Sequence, residues 1–593
     1  MKNLILDTIT DSADLKNMTL HELEFLASEI SDYLINIISE TGGHIGANLG
    51  VVELTIALHS VFDIESEPLV FDVGHQGYTH KLLTGRKNSF SSLNQFGGMS
   101  RFLTRSESRH DILDASHAGT SISTASGMAY SNKMAGFADV VVAVIGDGSL
   151  VEGMAFEGLN YAAQERLPLI IVINDNGMAI APNVGGIKNL FSGDDWARKS
   201  RAWFEGMGYA YQPVSDGHDI GEIRIALNEA RSKVNIKPVV VHVKTEKGRG
   251  LALAKNHPYK LHFSMPFNPD SGEGVSATPV GESYQAIVGN MLSQFMGRSQ
   301  NVYAITPATP YASGIEALMK EFPDRTLDVG MAEQHAIGMA AGLSIKGNSV
   351  FACFQATFMQ RAIDQIFHDI CYPQIPITIV SARSGFSGYD GPTHHGIYDF
   401  GFLRTLPNIT IFYAGTKRDL RAILEERYQH ASSPMIILHP YELISPSQDQ
   451  FLPKKITPLH LMECVAEGTD GVIITVGNRL TDAIDLKGIL WEKKKQNYAV
   501  YNIRWINPLP TEDLKILFSI FSKVITLEEG VRAGGIGSAI NEFARSGKVN
   551  CQIYVSAIDK GFLPAGDKKE LSEVARIDIN SIFTDSENFW DLL

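Results

Sequence analysis

The stretch from Val140 to Ala181, VVVAVIGDGSLVEGMAFEGLNYAAQERLPLIIVINDNGMAIA, reads as strand, turn, helix, strand, turn. Val140 to Ile145 is continuously apolar and rich in β-branched residues, as a strand covered on both faces of a parallel sheet must be, and Leu169 to Ile173 repeats the pattern. Glu152 to Gln164 between them has helical composition, so the unit is a βαβ crossover whose first strand ends in Gly146, Asp147 and Gly148. Ligands of such sheets bind at the carboxyl ends of the strands. Glycines on both sides of Asp147 let the backbone approach a phosphate, and Asn176 follows 29 residues on, at the corresponding end of the second strand. A carboxylate and an amide oxygen converging there suit Mg²⁺, which takes few protein ligands and fills its other positions with phosphates and water. On two buried strands this pair predicts a metal that holds a diphosphate.

The 593 residues exceed what one core can organise, so several domains are expected. A formal charge of −15 argues against nucleic acid and anionic membranes as partners. No apolar run is long enough to span a bilayer, and the N-terminal MKNLILDTITDSADL meets acidic residues too early for a secretory signal. Cys353, Cys371, Cys464 and Cys551 are scattered without metal-ligand spacing, which predicts a reducing compartment and no zinc site. The expectation is a cytoplasmic protein.

Toward the N-terminus, Thr19 and Glu22 form a capping-box pattern ahead of a helix to Ile38, with Leu23, Leu26, Ile30, Leu34, Ile37 and Ile38 on one face. Three histidines then fall in glycine-rich turns: His44 in GGHIGANLG, His75 at the end of the expected strand LVFDVGH, and His117 in DASHAGTSIS before a helix. Such turns present backbone N–H groups to an anion, and imidazoles add donors, so the set predicts a phosphate-lined cleft. Toward the C-terminus, Pro238 to Lys244 is a further buried strand, followed by TEKGRGLALAKNHPYKLHF. Strands starting at Val302, Ser349, Pro376, Ile409 and Pro434 alternate with helical segments, predicting a second doubly wound parallel sheet. Strands starting at Gly471, Tyr498 (YAVYNIRWI), Lys523 and Cys551 predict a smaller α/β unit in which GGIGSAI starts a helix and no catalytic cluster occurs.

GDG and the following Asn resemble the signature of thiamine diphosphate enzymes. GGHIGANLG, DVGHQGYTHKLLTG, HAGTSIS, IGDG, GMAFEGLN and INDNGM resemble, in order, the 1-deoxy-D-xylulose 5-phosphate synthase family, and the likeness continues to near the C-terminus. The resemblance implies an α/β fold of three transketolase-like domains: a diphosphate- and metal-binding domain over 1–265, a linker over 266–281, a pyrimidine-binding domain over 282–455 and a C-terminal domain over 456–593. It implies Asp147, Asn176 and the Met178 carbonyl as metal ligands. The cofactor would meet His75, His117, Ala118, Gly119, Gly146, Gly148, Ser149 and Lys247, with Glu333 on the aminopyrimidine ring and Phe358 stacked on it. Catalytic and substrate-facing roles would fall to Glu333, His44, His262, Arg361, Arg383, Asp390 and His394. The implied reaction joins pyruvate to an aldehyde with loss of CO₂, in a homodimer that uses thiamine diphosphate and Mg²⁺.

The family's excursion after Asn176 is short here, and three pocket positions depart from its pattern. Leu438 stands for an arginine, Gln355 for a tyrosine and Ala47 for a serine. Charge-assisted contacts to phosphate contribute about 1.5 to 3 kcal/mol each, so a weaker grip on a phosphorylated acceptor is expected unless His439 or Tyr441 compensates. The alternatives are a relative using a different, non-phosphorylated aldehyde, a transketolase, a 2-oxo acid dehydrogenase subunit, and a non-catalytic cofactor-binding protein.

Overall fold

The computed structural model describes residues 4–114, 116–275, 281–444, 452, 458–559 and 561–591. Part of the expected linker, 276–280, and the expected boundary at 455/456, within 453–457, lie outside the described residues, as do 445–451. The chain divides into two compact units, Met1–Thr278 with Gly330–Ala332, and Pro279–Val329 with Glu333–Leu593.

The first unit is built on β1 (Leu69–Phe71), β2 (Val141–Gly146), β3 (Leu169–Asp175), β4 (Ala210–Val214) and β5 (Val239–Lys244), in the order β1-β2-β3-β5-β4 with every pairing parallel. The apolar runs of the sequence are the central strands. Val141 to Ile145 and Leu169 to Ile173 are all buried, each aliphatic side chain contributing about 1.5–3 kcal/mol when taken from water. The register pairs Ile145 with Ile173 and Gly146 with Asn174, so Asp147 and Asn176 emerge at one sheet edge. Thr19 caps the helix Leu20–Thr41 through the expected reciprocal bonds with Glu22.

The strand expected to end at His75 stops four residues earlier, at Phe71. Asp72 turns inward to accept from the Gly119 and Ser121 amides at 2.9 and 3.0 Å, and Val73 is forced to φ +63°, a costly conformation for a β-branched residue. The connection after Asn176 is short, as expected, with a helix at Gly185–Leu190 followed by one at Trp196–Gly206.

The second unit carries two sheets. One contains β6 (Val302–Thr306), β7 (Thr326–Asp328), β8 (Ser349–Gln355), β9 (Thr378–Ala382), β10 (Thr410–Tyr413) and β11 (Met435–His439). The other contains β12 (Glu463–Ala466), β13 (Gly471–Val476), β14 (Tyr498–Ile503), β16 (Lys523–Val531) and β17 (Gln552–Ile558). The expected single strand from Tyr498 is two. It breaks at Arg504, and β15 (Trp505–Asn507) crosses to the first of these sheets, pairing antiparallel with β10. The cause is Arg504 itself, which is buried with its guanidinium 3.4 Å from the buried Asp419 carboxylate, while its carbonyl accepts from the Tyr413 amide at 2.8 Å. The resulting orders are β15-β10-β11-β9-β8-β6-β7 and β12-β14-β13-β16-β17, with β15 and β12 the antiparallel edges. GGIGSAI starts the helix Ile536–Ser546, whose first amides donate to the Glu528 carboxylate at 2.7 and 3.0 Å. That glycine motif is filled by the protein's own acid.

Candidate active site

In the first unit the chemistry gathers beyond the carboxyl ends of β2 and β3. Asp147 is 2% exposed. Its Oδ2 accepts from the Gly177 amide at 2.8 Å and from Asn183 Nδ2 at 2.7 Å, while its Oδ1 has no partner among the described residues. Burial raises its carboxyl well above the usual range, the neighbouring Asp175 adds to this, and the Gly177 amide opposes it. A buried oxygen without a donor, on an acid whose charge is so disfavoured, is what a cation would satisfy. Asn176 is held beside it, its Oδ1 accepting from the Met178 amide at 3.1 Å. The residues therefore fit a hard divalent metal with oxygen ligands. Gly148 is required by proximity, since a Cβ there would lie 2.8 Å from the Ala179 Cβ on the loop that carries Asn176.

Around this centre stand the histidine turns. The rings of His44, His75 and His262 are mutually 5.2 to 5.4 Å apart, and Phe102 and Phe263 close on His44 at 5.4 and 5.3 Å. Burial pushes His75 down to about 3, helped by the Lys247 charge, and takes His262 well below its ordinary value, so both are neutral near pH 7. Lys247 is brought down to about 7 by the same burial, and its Nζ donates to the Ala179 carbonyl at 2.5 Å. His117, Ala118 and Gly119 form the turn anchored by Asp72, with Gly119 at φ +82°, and Ser149 is buried after the GDG turn.

Three positioning residues here were not singled out in the sequence. Asn48, fully buried, donates through Nδ2 to the His44 and His75 carbonyls at 2.8 Å each and accepts from the Tyr78 amide at 2.8 Å. Asp72 orients the His117 turn. Asp175 accepts from the Gly177 amide and from His242 behind the loop that carries Asn176. Asn48 lies inside GGHIGANLG, so a polar residue at an otherwise apolar helix position was the available signal.

In the second unit Glu333 heads the helix Glu333–Ile345 and is 6% exposed. Phe358 and His394 meet edge to face at 5.6 Å, and Arg361 is half-buried on the short helical segment after Phe358. Arg383 sits at φ +66°, a strained setting for a side chain. Its Nη1 meets Asp390 Oδ2 at 2.5 Å and its guanidinium lies 4.0 Å from the centre of the Tyr441 ring. Of the two nearby compensating residues, Tyr441 therefore reaches Arg383. His439 does not present itself: it is 1% exposed, stacked on Tyr284, and held by burial at about 4. Leu438 is fully buried in β11, Gln355 closes β8, and Ala47 is buried in the first unit. In the Thr393-His394-His395 run, His395 is structural, with Nδ1 accepting from the Ser387 amide and Nε2 donating to the Pro564 carbonyl, both at 2.9 Å.

Family models match three stretches of the chain. Residues 6–199 match the family model 1-deoxy-D-xylulose-5-phosphate synthase, residues 282–445 the transketolase pyrimidine binding domain, and residues 461–582 the transketolase C-terminal domain. A curated relative named 1-deoxy-D-xylulose-5-phosphate synthase 1, from Geobacter sulfurreducens, is 37% identical over 99% of this chain and 97% of its own. One named 1-deoxy-D-xylulose-5-phosphate synthase, from Carboxydothermus hydrogenoformans, is 37% identical over 96% of each. The solved transketolase of Campylobacter jejuni aligns over 95% of this chain and 99% of its own at 16% identity, with a TM-score of 0.44.

Proposed function

The chain belongs to the 1-deoxy-D-xylulose-5-phosphate synthase family, and from that premise we propose that it condenses pyruvate with D-glyceraldehyde 3-phosphate, releasing CO₂ and giving 1-deoxy-D-xylulose 5-phosphate. When bound, thiamine diphosphate supplies the carbon nucleophile and the electron sink that decarboxylation needs. The chain's own residues bind, orient and move protons. Asp147, Asn176 and the Met178 carbonyl would hold the metal. His75, His117, Ala118, Gly119, Gly146, Gly148, Ser149 and Lys247 would receive the diphosphate. Glu333 and Phe358 would serve the pyrimidine ring, the carboxyl as a hydrogen-bonding partner and the phenyl ring as an apolar one.

The neutral imidazole of His262 can accept or deliver a proton, and we assign His44 and His394 to the same work. Arg361 and Asp390 orient the substrates, and Arg383 meets the acceptor's phosphate. The observation that carries the reading is the buried, partnerless Asp147 Oδ1 beside Asn176 at the ends of two paired strands. The same reading makes the protein a cytoplasmic homodimer, which light scattering after size exclusion checks.

A second reading, a different aldehyde acceptor, is favoured by Arg383, whose Nη1 is engaged by Asp390 and whose face is covered by Tyr441. The deciding experiment is NMR of products from ¹³C-pyruvate, glyceraldehyde 3-phosphate, thiamine diphosphate and Mg²⁺, beside an acceptor-free control. Labelled 1-deoxyxylulose 5-phosphate supports the first reading, and decarboxylation without it supports the second. Glu333→Ala should nearly abolish either reaction with the fold retained; full turnover in that variant would sink the cofactor assignment.

A further inference from the structure

Behind Asn176 lies a polar chain to which no ligand role has been given. Asp175, the last residue of β3, is 2% exposed. Its Oδ1 accepts at 3.2 Å from the Gly177 amide, the same amide that reaches Asp147 Oδ2 at 2.8 Å. Its Oδ2 accepts from His242 Nε2 at 2.8 Å and also pairs with the Lys244 ammonium. His242 is fully buried, and its other nitrogen meets the Tyr211 hydroxyl at 2.9 Å.

Lys244 ends β5 and has a second set of contacts. Its ammonium donates to the Phe191 carbonyl at 2.6 Å and lies 4.9 Å from the centre of the Trp196 ring. The Phe191 and Trp196 rings close on His242 at 4.4 and 4.7 Å. One cation thus joins two parts of the chain, the strand end that leads into Asn176 and the short connection that follows it. The connection is further gathered by Lys199, whose Nζ donates to the Asn189 and Ser192 carbonyls at 3.1 and 2.7 Å.

We propose that Lys244 is a positioning residue for the metal loop: by bridging Asp175 to the Phe191 carbonyl it clamps the connection after Asn176 and keeps the Gly177 amide, and with it Asn176 and Asp147, in ligating register. The inference rests on the metal reading of Asp147 and Asn176. Without the ammonium, Asp175 would lose the cation that balances it, and the Phe191 carbonyl would lose its donor. Outer-shell partners of this kind change metal affinity by 10- to 100-fold when removed.

The test uses the full-length protein with thiamine diphosphate and Mn²⁺, free Mn²⁺ being read by electron paramagnetic resonance. Lys244→Met should weaken Mn²⁺ binding by about 10-fold or more. Lys244→Arg, which retains a cation and several donors, should restore most of it. Lys188→Met, which removes a charge from an exposed position in the same connection, should leave it unchanged. In the metal-free protein, hydrogen exchange of amides 176–192 should accelerate in Lys244→Met and not in the control. A lowered melting temperature with wild-type Mn²⁺ affinity would overturn the proposal in favour of plain scaffolding, as would unchanged exchange. Failure of the wild-type protein itself to take Mn²⁺ would instead overturn the metal reading, and the proposal with it.

Discussion

Replacing Asn48 with alanine tests whether one buried amide sets the geometry of two histidine turns. Its side chain donates to the His44 and His75 carbonyls and accepts from the Tyr78 amide, all at 2.8 Å. The His44 carbonyl keeps a second donor, the Asn48 backbone amide at 3.2 Å. Among the described residues no other partner serves the His75 carbonyl or the Tyr78 amide. Two buried backbone groups left unsatisfied at roughly 1–3 kcal/mol each give a loss of about 4 kcal/mol. For a unit spanning Met1–Thr278 the unfolding entropy corresponds to about 0.6 kcal/mol per degree, so the melting temperature should fall by about 7 °C. Scanning calorimetry of the full chain reads this directly. Turnover should fall further than stability explains, by about 100-fold at saturating cofactor, because misplacing His44 and His75 by about 1 Å has that order of effect. A melting temperature within about 1 °C of wild type, with turnover intact, would refute the claim that Asn48 holds these turns.

Three further outcomes follow from particular contacts. Asp399 is fully buried and its carboxyl is raised by burial to about 7, the Ser384 hydroxyl opposing the shift. The folded state thus keeps a proton that the unfolded chain releases, and stability declines as pH rises from about 4 to about 7. Asp399→Asn should remove about 3 kcal/mol of that decline between pH 5 and pH 8, and parallel melting-temperature curves for the two proteins would contradict it. Gly148→Ala places a methyl 2.8 Å from the Ala179 Cβ, so Mg²⁺-dependent cofactor binding, followed by calorimetric titration, should weaken at least 10-fold; unchanged affinity would mean the two turns yield freely. His395→Ala should lower stability by about 2–3 kcal/mol through its two lost hydrogen bonds, whereas His394→Ala should mainly lower turnover, and the reverse pattern would exchange their assignments.

The fold class and the strand ends that carry Asp147 and Asn176 were legible in the chain because both are local. A parallel strand buried on both faces must be continuously apolar, and a turn that admits a phosphate must be glycine-rich, so Val140 to Ala181 announces β2, β3 and the emergence of Asp147 and Asn176 together. The capping box at Thr19 and the helix start within GGIGSAI were legible for the same reason, as each depends on neighbours a few residues away. What the tertiary structure decided depends on partners far apart in sequence. Only packing shows that Asn48 ties His44 to His75, that Asp72 ends β1 early to hold the His117 turn, and that Arg504 redirects β15 into another sheet. The Lys244 bridge between Asp175 and Phe191 belongs to the same class. Burial likewise cannot be read from a motif, and it is burial that leaves His75 and His262 neutral and withdraws His439 from the Arg383 pocket. Sequence patterns report the apolar period and the turn chemistry of each element, whereas the charge state and orientation of a buried polar group follow from which distant atoms share its cavity.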